Sequence, residues 1–211
     1  MNELLKLVSG YKEFSKGQKP GGQYRYSGLA EGQSPKIMVI SCSDSRVIPS
    51  QIFNVEPGDL FIVRNVANLV PPYEEDQSYH GTSAALEFAV NYLDVGLVVI
   101  LGHSQCGGIH ACAENFVQGT KAGTFLDKWL SILNPVAEKM LTGYDGPIEG
   151  QLQTDLELAA IRESLSNLEQ FPFLSERLKD GRLTVHGAYF DITDGQLYLL
   201  DAESDAFKMV E

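Results

Sequence analysis

Positive charge is scarce in this chain, and so are cysteine, histidine and tryptophan. Sixteen lysines and arginines stand against 28 aspartates and glutamates in 211 residues, a formal net charge of −12. A field of that sign repels phosphate backbones and anionic lipid surfaces, so nucleic acid and the membrane are excluded as partners. No apolar run reaches membrane-spanning length. The first sixteen residues carry Glu3, Lys6, Lys12 and Glu13 among their apolar positions and so lack the uninterrupted core of a secretory signal. Three cysteines cannot close a disulfide framework, and a chain of this size does not need one. Reduced thiols and a cytoplasmic location are expected, with an organelle stroma or matrix as the alternative if a transit peptide has been removed. Repeats, low-complexity tracts and linkers are also missing. One domain over 1–211 is expected, with a helical arm at 1–35 and a catalytic core at 36–202.

What is present is 44% hydrophobic residues, enough for a real core. Ile37 to Ile40, Leu60 to Val63 and Leu97 to Leu101 are short apolar runs of the kind found in strands covered on both faces. Ser83 to Leu93 places Ala84, Ala85, Phe88, Ala89 and Tyr92 at helical spacing, as a crossover helix requires, and Leu156 to Leu168 repeats that pattern. Leu183 to Ile192 and Gln196 to Leu200, joined by Thr193-Asp194-Gly195, read as a hairpin. The fold class predicted is α/β, a mostly parallel central sheet with an antiparallel edge strand and helices on both faces. Ahead of it, Leu4, Leu5, Val8, Tyr11 and Phe14 form the apolar stripe of a helix that packs on its own domain or reaches another subunit.

Two half-sites for a soft metal follow two of these strands. Cys42 opens Cys42-Ser43-Asp44-Ser45-Arg46, and His103 and Cys106 lie in Gly102-His103-Ser104-Gln105-Cys106-Gly107-Gly108. Open α/β sheets bind ligands at the carboxyl ends of strands where strand order reverses. If the strands ending at Ile40 and Leu101 are neighbours, the three side chains meet, Cys106 joining from the first turn of the next helix. Zinc takes thiolate and imidazole ligands tetrahedrally, and three protein ligands leave the fourth position for water. Two thiolates nearly cancel the metal charge, so a further group should orient the hydroxide. Asp44 can accept its hydrogen bond and Arg46 can hold the carboxylate. The same Asp44 can instead swing onto the metal as a fourth ligand and close the site. Gly107 and Gly108 let backbone approach without a Cβ clash. No Gly-Lys-Ser/Thr follows them, which argues against a phosphate loop. Cys112 reads as inert core.

With these motifs the chain resembles the β-class carbonic anhydrases, which carry Cys-x-Asp-x-Arg and His-x-x-Cys-Gly-Gly at these relative positions. The similarity runs from about Gln33 through Gly108 and returns at His186-Gly187 and Phe190-Asp191. The resemblance implies reversible hydration of carbon dioxide by attack of a zinc-bound hydroxide, one zinc ion per subunit, and a homodimer or higher homo-oligomer. Gln33-Ser34-Pro35 matches the plant-like branch, in which the glutamine binds substrate across the dimer interface. Phe61, Val66 and Phe88 match its apolar substrate walls, and Gly107 its backbone contact to substrate. The other branch builds a non-catalytic bicarbonate site where this chain has Val39, Arg64 and Phe190. With two of those three residues different, the closed state is expected to be weak and the fourth zinc position open. Ala188 departs from the aromatic residue usual there. His80 and His110 are the candidate proton carriers. Two rival readings share the zinc site: hydrolysis of carbon disulfide or carbonyl sulfide, and a zinc module without turnover. A third, Cys106 as nucleophile with His103 as base, leaves Cys42 without a role.

Overall fold

In a computed structural model, residues 2–17, 26–76 and 78–211 are described, and the chain forms two units, Met1–Ser34 and Pro35–Glu211. The first unit holds α1 (Glu3–Gly17), whose Leu4, Leu5, Tyr11 and Phe14 remain exposed. The second is built on six strands: β1 (Ile37–Cys42), β2 (Leu60–Asn65), β3 (Leu97–His103), β4 (Thr184–Phe190), β5 (Leu197–Asp201) and β6 (Ala206–Met209). Their order is β2-β1-β3-β4-β5-β6, parallel from β2 through β4 and antiparallel from β4 to β6. The parallel sheet with an antiparallel edge is as expected. That edge has two strands, because the sheet continues past residue 202 into β6.

The chain leaves β1 to one side for β2 and returns on the other side for β3, so strand order reverses at β1. The β1–β3 ladder, with Ile40 opposite Ile100 and Ser41 opposite Leu101, puts the carboxyl ends of both strands side by side, about 4.8 Å apart. The site therefore sits at the switch point of the sheet.

The helices are shared unequally. On one face Met38, Ile40, Val98 and Ile100 pack with Leu86, Ala89 and Val90 of α3 (Gly81–Asn91) and with Ile161 and Leu168 of α7 (Gly150–Glu169). Next to this layer, α4 (Gly107–Gln118) and α6 (Asn134–Leu141) enclose a second apolar cluster that includes Cys42, Cys106 and Cys112. The opposite face, with Val39, Leu101 and Ala188, is covered by the short α2 (Pro49–Ile52) and by Val47, Phe53 and Ile192. Between α4 and α6 lies α5 (Thr124–Leu130), and α8 (Pro172–Lys179) precedes β4. No helix among the described residues is long and apolar enough to cross a membrane.

Helix α7 lies flush on the sheet because glycines receive it. A Cβ on Gly102 would stand 2.6 Å from Ile161 Cδ1, and one on Gly187 2.9 Å from Ile161 Cγ2. Overpacking such a contact costs about 1–3 kcal/mol. Gly102→Ala is accordingly expected to lower unfolding free energy by about that amount in chemical denaturation; an unchanged midpoint would mean that α7 is free to shift.

Candidate metal centre

Cys42 is the last residue of β1 and His103 the last of β3. Cys106 stands immediately before α4, at its N-cap rather than within the first turn. All three are buried, and their ligand atoms lie within 4.8 Å of one another. The two sulfurs are 3.9 Å apart. Two thiolates about 2.3 Å from a tetrahedral zinc ion stand about 3.8 Å apart, so the spacing fits. His103 Nδ1 donates to the Ser104 carbonyl at 2.9 Å, which fixes the proton there and leaves Nε2 with its lone pair. That Nε2 is buried and makes no regular hydrogen bond among the described residues; it lies beside the Cys42 sulfur, which His103 helps to hold in the thiolate form. A buried nitrogen without a regular hydrogen bond is costly unless something binds it, and a thiophilic cation satisfies it together with both sulfurs.

The electrostatics agree. A hydrogen bond from the Cys106 thiol holds Cys42 well below the usual thiol range against the opposing effect of burial, while the same bond and burial push Cys106 up. The backbone amide of Asp44 also donates to the Cys42 sulfur, at 3.4 Å. Sulfurs this close share one proton or, with a dication between them, give it up. Cys112, by contrast, is pushed up to about 11 by burial alone and donates to the Leu130 carbonyl. It is core, as expected.

Asp44 is not among the atoms that converge on the centre. Arg46 holds it at both oxygens, Nε to Oδ1 at 2.9 Å and Nη2 to Oδ2 at 2.7 Å, and the Arg46 amide adds 2.9 Å to Oδ1. This grip keeps the carboxyl well below the usual carboxylate range, so Asp44 is ionised and accepts hydrogen bonds only. The same Arg46 Nη2 reaches the Gln105 carbonyl at 3.0 Å and so ties the first motif to the second. Arg64 donates to the carbonyls of Cys42, Asp44 and Val47, which uses its guanidinium to brace the loop from 42 to 47.

The expected substrate walls do not all converge within one chain. Val66 touches the metal loop: a Cβ on Gly108 would lie 2.8 Å from Val66 Cγ1, and the Trp129 indole donates to the Val66 carbonyl at 2.8 Å. Gly108 is thus the residue at which backbone approach requires glycine. Gly107, expected to share that duty, faces open space. Phe61 pairs with Met38 in register, four residues before the Cys42–Asn65 pair and hence about 13 Å along the strand. It meets Phe88, whose ring stacks on Tyr92 at 5.4 Å, in a patch beside edge strand β2. Gln33 is exposed and belongs to the first unit. His80 pairs with Asp76, and His110 with Gln153 and Glu114.

Several supports carry no motif. Ser104 Oγ donates to Asp191 Oδ1 at 2.9 Å and accepts the Ile192 amide, fixing the metal loop to the end of β4. The return of similarity at Phe190-Asp191 was the only signal for it. Glu157 of α7 accepts the Cys106 amide at 2.8 Å and, in the apolar stripe of a helix, gave no signal at all.

A family model described as carbonic anhydrase matches residues 37–197. Beta carbonic anhydrase 5, chloroplastic, of Arabidopsis thaliana is 39% identical over 170 residues, 80% of this chain. Beta carbonic anhydrase 3 of the same plant is 35% identical over 206 residues, 96% of this chain. The chain spans 55% of the length of the first and 79% of the second. Among solved structures, the β-carbonic anhydrase CcaA superposes with a TM-score of 0.88 at 30% identity, covering 99% of this chain and 100% of that one. A tetrameric β-carbonic anhydrase from Sordaria macrospora gives 0.81 at 29% identity, covering 96% and 98%.

The purified protein is expected to hold about one zinc ion per chain. By elemental analysis, Cys42→Ser, His103→Ala and Cys106→Ser should each lose stoichiometric zinc while Cys112→Ser keeps it. Full zinc in the His103 variant would place the metal elsewhere.

Proposed function

The chain belongs to the β-carbonic anhydrase family, and from that membership we propose that it catalyses the reversible hydration of carbon dioxide to bicarbonate and a proton. The observation that carries this is the buried Cys42–His103–Cys106 cluster, its Nε2 without a regular hydrogen bond, next to a carboxylate held by arginine. Zinc, when bound there, supplies the Lewis acidity that makes a water molecule nucleophilic near neutral pH. The residues of the chain do the rest. Cys42 and Cys106 would bring two negative charges to a bound zinc ion, and His103 is held with Nε2 free to ligate it. Asp44, ionised and acceptor-only, takes the hydrogen bond of the attacking oxygen and so turns its lone pair away from the carboxylate and toward the carbon of the substrate. Arg46 prevents Asp44 from rotating and from taking up a proton. Val66 supplies one apolar wall, and the open space at Gly107 leaves backbone accessible to substrate.

We assign the fourth metal position as open. Supporting this, Asp44 is engaged by three Arg46 donors, and Arg64 is committed to three backbone carbonyls. Val39 and Phe190 share an apolar cluster with Leu101 and Ala188, which offers an anion nothing polar.

The working unit is a homodimer or a higher assembly, in which Phe61, Phe88 and Gln33 complete the site of a neighbouring subunit. Support comes from the distance between the Phe61–Phe88 patch and the metal cluster of its own chain, and from the exposure of Phe88, Tyr92 and Ile62 at the β2 edge. The apolar stripe of α1 is uncovered as well. The Sordaria relative is described as tetrameric. We infer a cytoplasmic setting, with an organelle interior as the alternative that the name of the chloroplastic relative supports.

Stopped-flow assay of carbon dioxide hydration tests the reaction. Activity should vanish on chelation and return with zinc, and Asp44→Asn should keep its zinc yet lose about a hundredfold or more in kcat. Activity that survives complete zinc removal would end this reading. Light scattering tests the assembly: Phe88→Asp should shift the protein toward monomer and lower activity with zinc retained, whereas a fully active monomer would refute the shared site.

A further inference from the structure

One charged side chain in the core has no place in the chemistry described so far. Glu157 lies on α7, 2% exposed, and each of its carboxylate oxygens is aimed at something specific. Oε1 accepts the backbone amide of Cys106 at 2.8 Å and the Gln153 amide nitrogen at 2.6 Å. Oε2 accepts the Tyr189 hydroxyl, from β4, at 2.8 Å. Gln153 also reaches the Cys106 carbonyl at 3.4 Å, so α7 holds both sides of the residue that carries the second thiolate. A carboxyl group buried this deeply needs its oxygens satisfied, and here three donors from two elements and one loop do so.

The geometry points to Glu157 as the positioning residue of Cys106, a role that rests on the zinc reading above. The peptide between Gln105 and Cys106 is under local stress: Gln105 has a φ of +55°, in the left-handed region, and Cys106 returns to extended backbone at a φ of −71° before α4 begins. Rotation about that peptide would swing the Cys106 sulfur relative to Cys42. Three contacts resist it: Arg46 on the Gln105 carbonyl, Asp191 through Ser104, and Glu157 on the Cys106 amide. The last is made to the amide of the ligand residue itself, and Gln153 adds a longer contact to its carbonyl. Tyr189 and Gln153 in turn keep the Glu157 carboxylate from rotating.

The polar chain continues outward, from Glu157 to Gln153, then to His110 Nδ1 at 3.2 Å, then to Glu114 at the surface. Its inner end is the Cys106 amide, so the chain bears on a ligand residue. The role of Glu157 is reach and direction and not charge.

That distinction gives the test. Glu157→Gln keeps the reach and an acceptor oxygen for the Cys106 amide while removing the charge; its amide can donate to Tyr189. Glu157→Asp keeps the charge and withdraws the acceptor by one methylene. Zinc affinity is measured by competition with a chromophoric chelator, and ligand geometry by the thiolate-to-metal absorption of the cobalt(II)-substituted protein. Glu157→Asp should lose about tenfold to a hundredfold in zinc affinity and change the cobalt spectrum, as loss of a contact behind a ligand does. Glu157→Gln should keep both near wild type, and Tyr189→Phe should fall between the two. The opposite order, Gln impaired and Asp intact, would make the charge the operative property and overturn the proposal. Both variants binding zinc as wild type would reduce Glu157 to a core filler, and if Glu157→Asp did not fold, wild-type affinity in Tyr189→Phe would count against it equally. A wild-type chain that took up no zinc would instead remove the metal reading itself.

Discussion

Everything at the metal cluster depends on the pairing of β1 with β3. Parallel strands must be joined by a crossover, and here the chain makes one to β2 and another back across β1, which leaves the carboxyl ends of β1 and β3 adjacent with no connection running between them. Cys42 and His103 are the last residues of those two strands, so their backbones are as rigid as the sheet. Cys106 is different. It sits three residues beyond a strand, on a turn with a left-handed residue, and its precision has to be supplied from outside. The structure supplies it with charged groups from three elements: Arg46 after β1, Asp191 after β4 and Glu157 on α7.

Helix α7 shows how packing and chemistry share one surface. Its buried face includes Leu156, Ala160, Ile161 and Leu168, but also Gln153, Glu157, Ser164 and Asn167. Each of these polar side chains has a backbone partner. Gln153 and Glu157 hold Cys106, Ser164 takes the Val70 amide, and Asn167 donates to the Val70 carbonyl. The segment from 66 to 70 needs such partners, because Ala67 and Asn68 both have positive φ and leave the sheet hydrogen-bond pattern. Gly102 and Gly187 let the helix come close enough for these bonds to form, so two missing side chains on the sheet are a condition for the polar contacts several residues away.

Much of this is legible in the chain itself. Strands β1, β2 and β3 announce themselves as short apolar runs, and soft ligands placed just past two of them imply a site at the switch point. The Asp44–Arg46 pair follows from spacing, since a carboxylate and a guanidinium two residues apart can meet within one turn. What stays hidden depends on long-range contact. Glu157 and Gln153 sit in a helical stripe where composition suggests only an unusual core, and nothing local says that Cys106 lies opposite them. Arg64 carries no sign that three carbonyls from 42 to 47 will consume its donors. Phe61 and Phe88 are picked out only by the resemblance, as separate substrate walls, and their rings in fact meet, at 5.9 Å between centroids. Their distance from the metal cluster is not legible, because it depends on a register of four residues along β2 that periodicity does not set.

The Asp44 carboxylate is where these constraints meet the reaction. With two thiolates nearly cancelling the charge of a bound zinc ion, the remaining pull on the Asp44 carboxylate is one that a well-placed guanidinium can oppose. Holding Asp44 off the metal therefore takes opposition of the same kind, a guanidinium that engages both oxygens in a fixed plane. Arg46 alone is a long and partly exposed side chain, with 44% of its side-chain surface accessible, and would be a weak restraint. Two further contacts stiffen the arrangement. The Gln105 carbonyl accepts a second hydrogen bond from the same Arg46 Nη2 that holds Asp44, and Arg64 fixes the backbone from which Asp44 departs. Since the Gln105 carbonyl belongs to the peptide whose amide Glu157 holds, the position of Cys106 and the restraint on Asp44 share one peptide plane. The restraint on Asp44 is thus a property of the whole loop rather than of the dyad alone.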